Sequence, residues 1–492
     1  MRNERRSRRR SNANRRLFVK SIILIILLAL LGGAIWVLAK QLDIGKKDEK
    51  TQEPEVSVTP TKEPEAAPVE IQEEEPEQEV QVGSKEELMA RAELQATQYD
   101  YDAAMETLDS IDGAEGDTEI QAKKAEYQAT KDSCIAVNPN EVTHIFYHSL
   151  VVDTEKGFGG GDSTAAGFSQ WMTTVDEFNK ITQEMYNRGY VMIHLRDLIE
   201  ETVGEDGIVH MKSKPLMLPP GKKAFVMSMD DLSYYHSYDG RGMATKLVLD
   251  ENGEVKNEYI ESDGSVSVGD YDYVPLLDQF VKDNPDASYR GAKATIALTG
   301  YNGVLGYRTD EVYNTRDPER ISKDQKAWLD AHPNFNFEED VANATKIADA
   351  MKATGWEFAS HTWGHRRIAQ IPMDQLKQDT ERWEKNITPI VGAPDTIIFA
   401  HGEDLNDWQD YDPADPKFQY LKEHGFNYFC NVDSAQYFLQ IRDNYVRQGR
   451  RNLDGYRLYQ DLINPDKATR RTNDLFDVED VYDRSRPDVP DL

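Results

Sequence analysis

Residues 224–235, Ala-Phe-Val-Met-Ser-Met-Asp-Asp-Leu-Ser-Tyr-Tyr, decide how the chain is read. A short apolar run ends in two adjacent carboxylates, Asp230 and Asp231, and opens into a Tyr-rich loop. The run reads as a buried strand. Side chains alternate along a strand, so the two carboxylates leave it in opposite directions at its carboxyl end, where α/β sheets and barrels carry their chemistry. One of the pair can bind a metal while the other handles a proton. Alone, however, an Asp-Asp turn after a strand also describes an ordinary solvated loop.

The flanking sequence repeats the same unit. Strand-like runs at 142–151, 190–198, 293–300, 356–362, 395–402 and 426–433 alternate with amphipathic stretches at 174–188, 273–283, 337–354, 373–386 and 416–424. This rhythm predicts one α/β domain over 142–465 with parallel strands, a barrel being the economical closure. Two insertions break it. Residues 239–272 carry Asn252-Gly253 between alternating runs and predict a β-hairpin. Residues 301–336 form a long loop with Tyr301, Tyr307, Tyr313, Trp328 and Phe335, aromatics that suit either stacking on sugar rings or anchoring the loop.

The strand at 356–360 runs into His361-Thr362-Trp363-Gly364-His365. Two His four apart on one helical turn point the same way, as a zinc-like ion requires of paired imidazoles. With Asp231 they make three protein ligands and an open position, the pattern of a catalytic ion.

Ser-Met-Asp-Asp at 228–231 resembles the Thr-Phe-Asp-Asp motif, and residues 361–365 the His-Ser/Thr-x-x-His motif, of the NodB-type polysaccharide deacetylases. Phe-Tyr-His-Ser-Leu at 146–150 and the helix-strand unit at 175–198 are similar to that family's opening, and the resemblance spans about 142–459. It implies a distorted (β/α) barrel and a divalent metal, zinc first, with cobalt, manganese or nickel as the others. The implied reaction is hydrolysis of an N-acetyl amide, or sometimes an O-acetyl ester, on a glycan. Asp231, His361 and His365 become the metal ligands and Asp230 the general base, with metal-activated water as nucleophile. Asp433, Tyr234 and Trp363 are the expected substrate contacts. The family's Arg-x-Pro-Tyr/Phe-Gly motif corresponds to Ile-Ile-Phe-Ala-His-Gly at 397–402, without the Arg that fixes the base, and no His follows His424 to serve as the late general acid. His401 is the catalytic residue expected to donate the proton, with His148 as the other candidate; Arg450 or Arg451 are candidates for the lost Arg.

The amino-terminal third has a different character. Residues 1–20 hold eight Arg and Lys20 against Glu4 alone, and 21–39 carry no charge, which predicts one membrane-spanning helix. The positive-inside rule puts the basic tail in the cytoplasm and the rest outside; a cleaved signal peptide is the rival reading. Residues 40–84, rich in Glu and Pro, read as a disordered tether spanning roughly 35 Å or more. Residues 85–135 read as a tetratricopeptide-like helical hairpin, a stalk or a partner-binding module, and 466–492 as a polar tail. The formal net charge of −31 argues against nucleic acid as a partner. Cys134 and Cys430, the two cysteines, read as buried, unpaired thiols, with a disulfide outside the cell as the alternative. Together these features predict an anchored, outward-facing enzyme acting on peptidoglycan or an N-acetylglucosamine polymer; the alternatives are a glycan binder without turnover and an envelope scaffold.

Overall fold

The computed structural model describes residues 83–205, 207–432 and 436–490. The basic tail, the apolar run 21–39 and all but the end of the acidic linker lie outside the described residues. Among the described residues no helix is long and apolar enough to cross a membrane.

Eight parallel strands organise the domain: β1 (Thr143–Tyr147), β2 (Tyr190–Met192), β3 (Lys223–Asp230), β4 (Thr295–Leu298), β5 (Glu357–Ser360), β6 (Thr396–Ile398), β7 (Tyr428–Val432) and β8 (Val446–Asn452). Seven close a ring in the order β3, β4, β5, β6, β7, β8, β1 and back to β3. The eighth, β2, pairs with the first half of β3, while β4 takes the second half, so β3 is shared and the barrel is distorted there. The barrel expected from sequence is present. Strands β1, β4 and β7 are buried almost throughout, as parallel strands covered by helices must be.

Strand β8 has no counterpart in the sequence reading. Its residues Val-Arg-Gln-Gly-Arg-Arg-Asn look solvent-facing, yet all but Asn452 are buried. Each guanidinium is buried against a carboxylate: Arg447 against Asp404, Arg450 against Asp230 and Arg451 against Asp474. Charge pairing, rather than apolar composition, makes this segment an interior strand.

The region 85–133 forms three helices, α1 (Lys85–Thr97), α2 (Tyr101–Asp109) and α3 (Thr118–Ser133). Leu88, Ala92, Ala104, Leu108 and Ile120 share one apolar cluster with Val191 and Ile193, in and just after β2, and with Ala224 near the amino end of β3. Tyr99 donates to the Asp286 carbonyl (2.6 Å), and Arg290 pairs with Asp100 at 3.0 Å. The segment read as a stalk is thus packed on the barrel's lower rim, because its helices cannot bury their apolar faces on one another alone. Cys134 and Cys430 are buried, free thiols.

Residues 466–490, read as a polar tail, bury Leu475, Phe476, Val478 and Val481 in the main core. They are tied down by Arg486, whose guanidinium meets Glu177 at 2.6 Å with both side chains fully enclosed. Glu177 also completes a capping box with Thr174 at the start of helix Val175–Asn187.

The hairpin expected across Asn252-Gly253 is present and gains a third strand (Lys246–Leu249, Val255–Ile260, Val266–Gly269). The 301–336 insertion contains helices Glu311–Thr315 and Lys323–Ala331 rather than a plain loop. Its aromatics serve as anchors: Tyr313 is buried and donates to Asn302, and Trp328 stacks on His332 with ring centroids 4.0 Å apart.

Because Leu108 sits in a cluster continuous with the barrel interior, Leu108→Ala should destabilise the whole domain by about 2–4 kcal/mol. Urea unfolding followed by tryptophan fluorescence and by circular dichroism should show one coincident, shifted transition; two separated transitions would show the three helices unfolding by themselves.

Candidate active site

Asp230 is the last residue of β3 and is 3% exposed. The Arg450 guanidinium grips it from β8 with a two-pronged fork, Nη1 donating to Oδ1 at 2.7 Å and Nη2 to Oδ2 at 3.0 Å. Burial alone would push this carboxyl up in pKa, but Arg450 and the neighbouring His361 hold it well below the usual carboxylate range. The Arg absent from the third motif is therefore supplied by another strand. Beneath the pair, Arg450 Nη1 also donates to Ser228 Oγ (3.0 Å), and Ser228 meets His144 Nε2 at 2.9 Å. Burial pushes the His144 imidazole down to about 3, so it stays neutral beside the guanidinium.

Asp231 turns the chain sharply, with φ at 62°. One of its oxygens accepts the Tyr235 hydroxyl at 2.9 Å, and the other faces His365 Nε2 at 3.7 Å. The ligating-type atoms of Asp231, His361 and His365 all lie within 4.8 Å of one another.

The two histidines reach this cluster differently from the helical turn expected. Residues 361–365 are an irregular turn after β5, with Thr362 at φ 63° and His365 at φ 49°. Asp379 pins the turn by accepting from the backbone of Trp363 (2.7 Å) and Gly364 (2.9 Å). The rings nevertheless converge, with centroids 4.9 Å apart. His361 Nδ1 lies 2.7 Å from the Ile398 carbonyl, which can only accept, so Nδ1 carries the proton and Nε2 presents its lone pair. Burial holds His361 down to about 4, the form a ligand needs. Left-handed backbone at Asp231, Thr362, His365 and His401 concentrates strain around one spot, as functional sites do.

Above these residues opens a cavity of about 520 Å³ lined by, among others, His148, Trp171, Asp230, Asp231, His361 and His401. That size suits a small substrate moiety. His401 lies at the edge of the cleft, its ring 4.2 Å from that of His365 and its Nε2 donating to the His365 carbonyl at 3.1 Å. Gly402 after it cannot be replaced: its φ is +67°, and a Cβ there would fall 2.6 Å from that of Val432.

Two expected substrate contacts are corrected by their burial. Tyr234 is fully enclosed and accepts a hydrogen bond from Asn257 Nδ2 at 3.0 Å, so no substrate reaches it. Trp363 is packed under the Arg382 guanidinium, 3.2 Å from the ring centroid, and does not line the cavity. Asp433 lies outside the described residues. Sequence reasoning missed Tyr235, which orients Asp231, and Trp171, which lines the cavity with 42% of its surface exposed.

Donor types, convergence and the fixed His361 tautomer together fit a divalent ion. Residues 325–408, which include both histidines, match the family model described as polysaccharide deacetylase. That stretch is similar to the polysaccharide deacetylases, hydrolases that remove acetyl groups from polysaccharide. Two solved structures are similar. The Streptococcus pyogenes deacetylase PplD in complex with acetate is 12% identical, with 66% of this chain and 98% of that chain covered and a TM-score of 0.31. BC0361, a polysaccharide deacetylase from Bacillus cereus, is 13% identical over 63% of this chain and 64% of that chain, with a TM-score of 0.30. No curated protein matches the sequence.

Removing Arg450 would leave the Asp230 carboxylate buried without its counter-charge. Arg450→Met should cost about 3–5 kcal/mol, and the double variant Asp230→Asn, Arg450→Met should recover part of that loss in urea unfolding. A single-variant loss below about 1 kcal/mol would show the pair to be dispensable for the fold.

Proposed function

We propose that this protein is a metal-dependent deacetylase that removes acetyl groups from an N-acetylated envelope or extracellular polysaccharide, peptidoglycan or an N-acetylglucosamine polymer. The observation that carries the reading is the three-ligand cluster lying directly beside a carboxylate held ionised by Arg450. A divalent ion held by Asp231, His361 and His365, zinc first, would acidify its water and polarise the acetyl carbonyl.

Asp230 is the general base. Each of its oxygens spends one lone pair on the Arg450 fork and keeps another for the attacking water's proton. The fork also stops the carboxylate from rotating, which keeps that lone pair aimed at the cleft. Tyr235 does the same for Asp231 through its hydroxyl. Trp171, apolar and partly exposed beside the reacting groups, is suited to covering a sugar face. The basic residues of 1–20 and the uncharged run 21–39 support an anchored placement with the enzyme outside the cell, close to its polymer.

The test pairs elemental analysis with acetate release from N-acetylglucosamine oligomers. Asp231→Ala should lose both the metal and activity. Asp230→Asn should keep the metal and lose about 10²–10⁴ in kcat. Oligomer binding without acetate release by the wild type, across zinc, cobalt, manganese and nickel, would sink the enzyme reading.

A further inference from the structure

The two insertions that interrupt the strand-helix rhythm border a groove of about 920 Å³, larger than the cavity above the ligand cluster. One wall is the hairpin strand Lys246–Leu249; the other is the end of helix Lys323–Ala331, the turn after it and helix Phe337–Ala353. We propose that this groove is a second carbohydrate site, which binds an uncharged N-acetylglucosamine chain where the polymer runs on beyond the catalytic cavity. The choice of occupant rests on the deacetylase reading and deepens it.

The groove is built before any ligand arrives. The Leu247 N–H donates to the Leu305 carbonyl at 3.1 Å, which welds the two insertions together at its floor. Gly306 lies so close to the hairpin, at φ +88°, that a Cβ there would fall 2.5 Å from Lys246 Cα. Binding to such a surface spends little on ordering the chain.

Its lining alternates hydrocarbon with amide. Val248, Leu249 (39% exposed) and the half-buried Phe335 are apolar. His332 is exposed and stacks one ring face on Trp328, which leaves the other for a ligand. The side-chain amides of Asn334 and Asn343 line the groove and have no partner among the described residues. A pyranose chain presents the same alternation, C–H faces edged by hydroxyl and acetamide groups. Charge points the same way: two lysines and two carboxylates line the groove. Lys246 is already paired with Glu258 at 3.1 Å, and Asp340 already accepts the Arg308 backbone N–H at 2.7 Å. That balance favours neither a polyanion nor a polycation.

Groove and cavity open at the same pole of the barrel, because both insertions leave from carboxyl ends of strands, β3 and β4. The loop 231–236 stands between them. Asp231 lines the cavity, and His236 stacks on Trp328 of the groove wall with centroids 5.6 Å apart. Arg308, 4% exposed, braces the same partition: its guanidinium lies 5.7 Å from the Trp328 centroid, and Nη1 donates to the Tyr234 carbonyl at 3.0 Å. A polymer with one sugar over the ligand cluster thus has this groove a single loop away.

The test compares N-acetylglucosamine disaccharide, too short to reach the groove, with the hexamer, on the full chain. His332→Ala shortens the groove wall, and Asn343→Trp fills the groove. Each should raise KM for the hexamer about tenfold at unchanged kcat and leave disaccharide turnover within about twofold of wild type. Calorimetric titration of chelator-treated protein, which reads binding without turnover, should show the same loss of hexamer affinity. Hexamer affinity equal to wild type in both variants would overturn the proposal. So would equal losses on the two substrates, which would mean that the substitutions act through the loop 231–236, and so would a wild type that binds the hexamer no more tightly than the disaccharide. If Asn343→Trp fails to fold, His332→Ala decides alone. Hexamer binding that depends on the groove, with no acetate released from either substrate, upholds the groove and sinks the deacetylase reading; acetate release that is indifferent to both substitutions does the reverse.

Discussion

A guanidinium and a carboxylate inside a closed barrel each lose several kcal/mol of hydration, and only close, two-pronged contact returns most of it. The Arg450–Asp230 pair meets that condition, with both of its hydrogen bonds at 3.0 Å or less. Apolar replacements of the same volume would cost the fold little or even help it. What the ion pair gives instead is a carboxylate that stays charged although buried, in one orientation, beside three metal-ligand-type side chains. The remainder of the site can be understood as what that pair requires around it.

Its first requirement is a polar floor. Ser228, His144 and Gln448 form a hydrogen-bonded stack below Arg450, with His144 bridging Ser228 Oγ and Gln448 Oε1. A neutral His144 is essential to this arrangement, since a second cation would oppose Arg450; burial secures it. Below the stack the barrel becomes apolar, with Val226, Ala297, Ala359, Ile398 and Val446 continuing into the cluster that holds the three amino-terminal helices. Those helices therefore close the wet end's opposite pole, and the boundary between apolar filling and charged chemistry falls within single strands such as β3 and β8.

The fold was legible in the sequence wherever hydrophobic pattern and burial agree, as in β1, β3 to β7 and the helices between them. Asp230, Asp231, His361 and His365 were legible because motif spacing survives even where the local geometry is not the one expected, as at the irregular turn 361–365. Strand β8 was not legible. Its three arginines mimic a solvated face, and only the folded chain brings up Asp404, Asp230 and Asp474, each from a distant segment. Trp363 and Tyr234 fail for the complementary reason: adjacency to a motif in sequence says nothing about which side of the backbone faces the cleft, and both face the core.

The position of β8 has a further consequence. It pairs with β1 in the register Arg450 to His144, Arg451 to Ile145 and Asn452 to Phe146, joining the last strand of the ring to the first. Alternation along β8 sends Gln448 and Arg450 inward and Arg447 and Arg451 outward, each to its own partner. A slip of one residue would exchange the two sets, burying Arg451 where Asp230 waits and stranding Arg450 outside. The three outward and inward ion pairs thus specify the register that closes the barrel. In a protein with the arginine on β6 the site would tolerate a loose seam; here the site exists only once the two ends of the barrel have met.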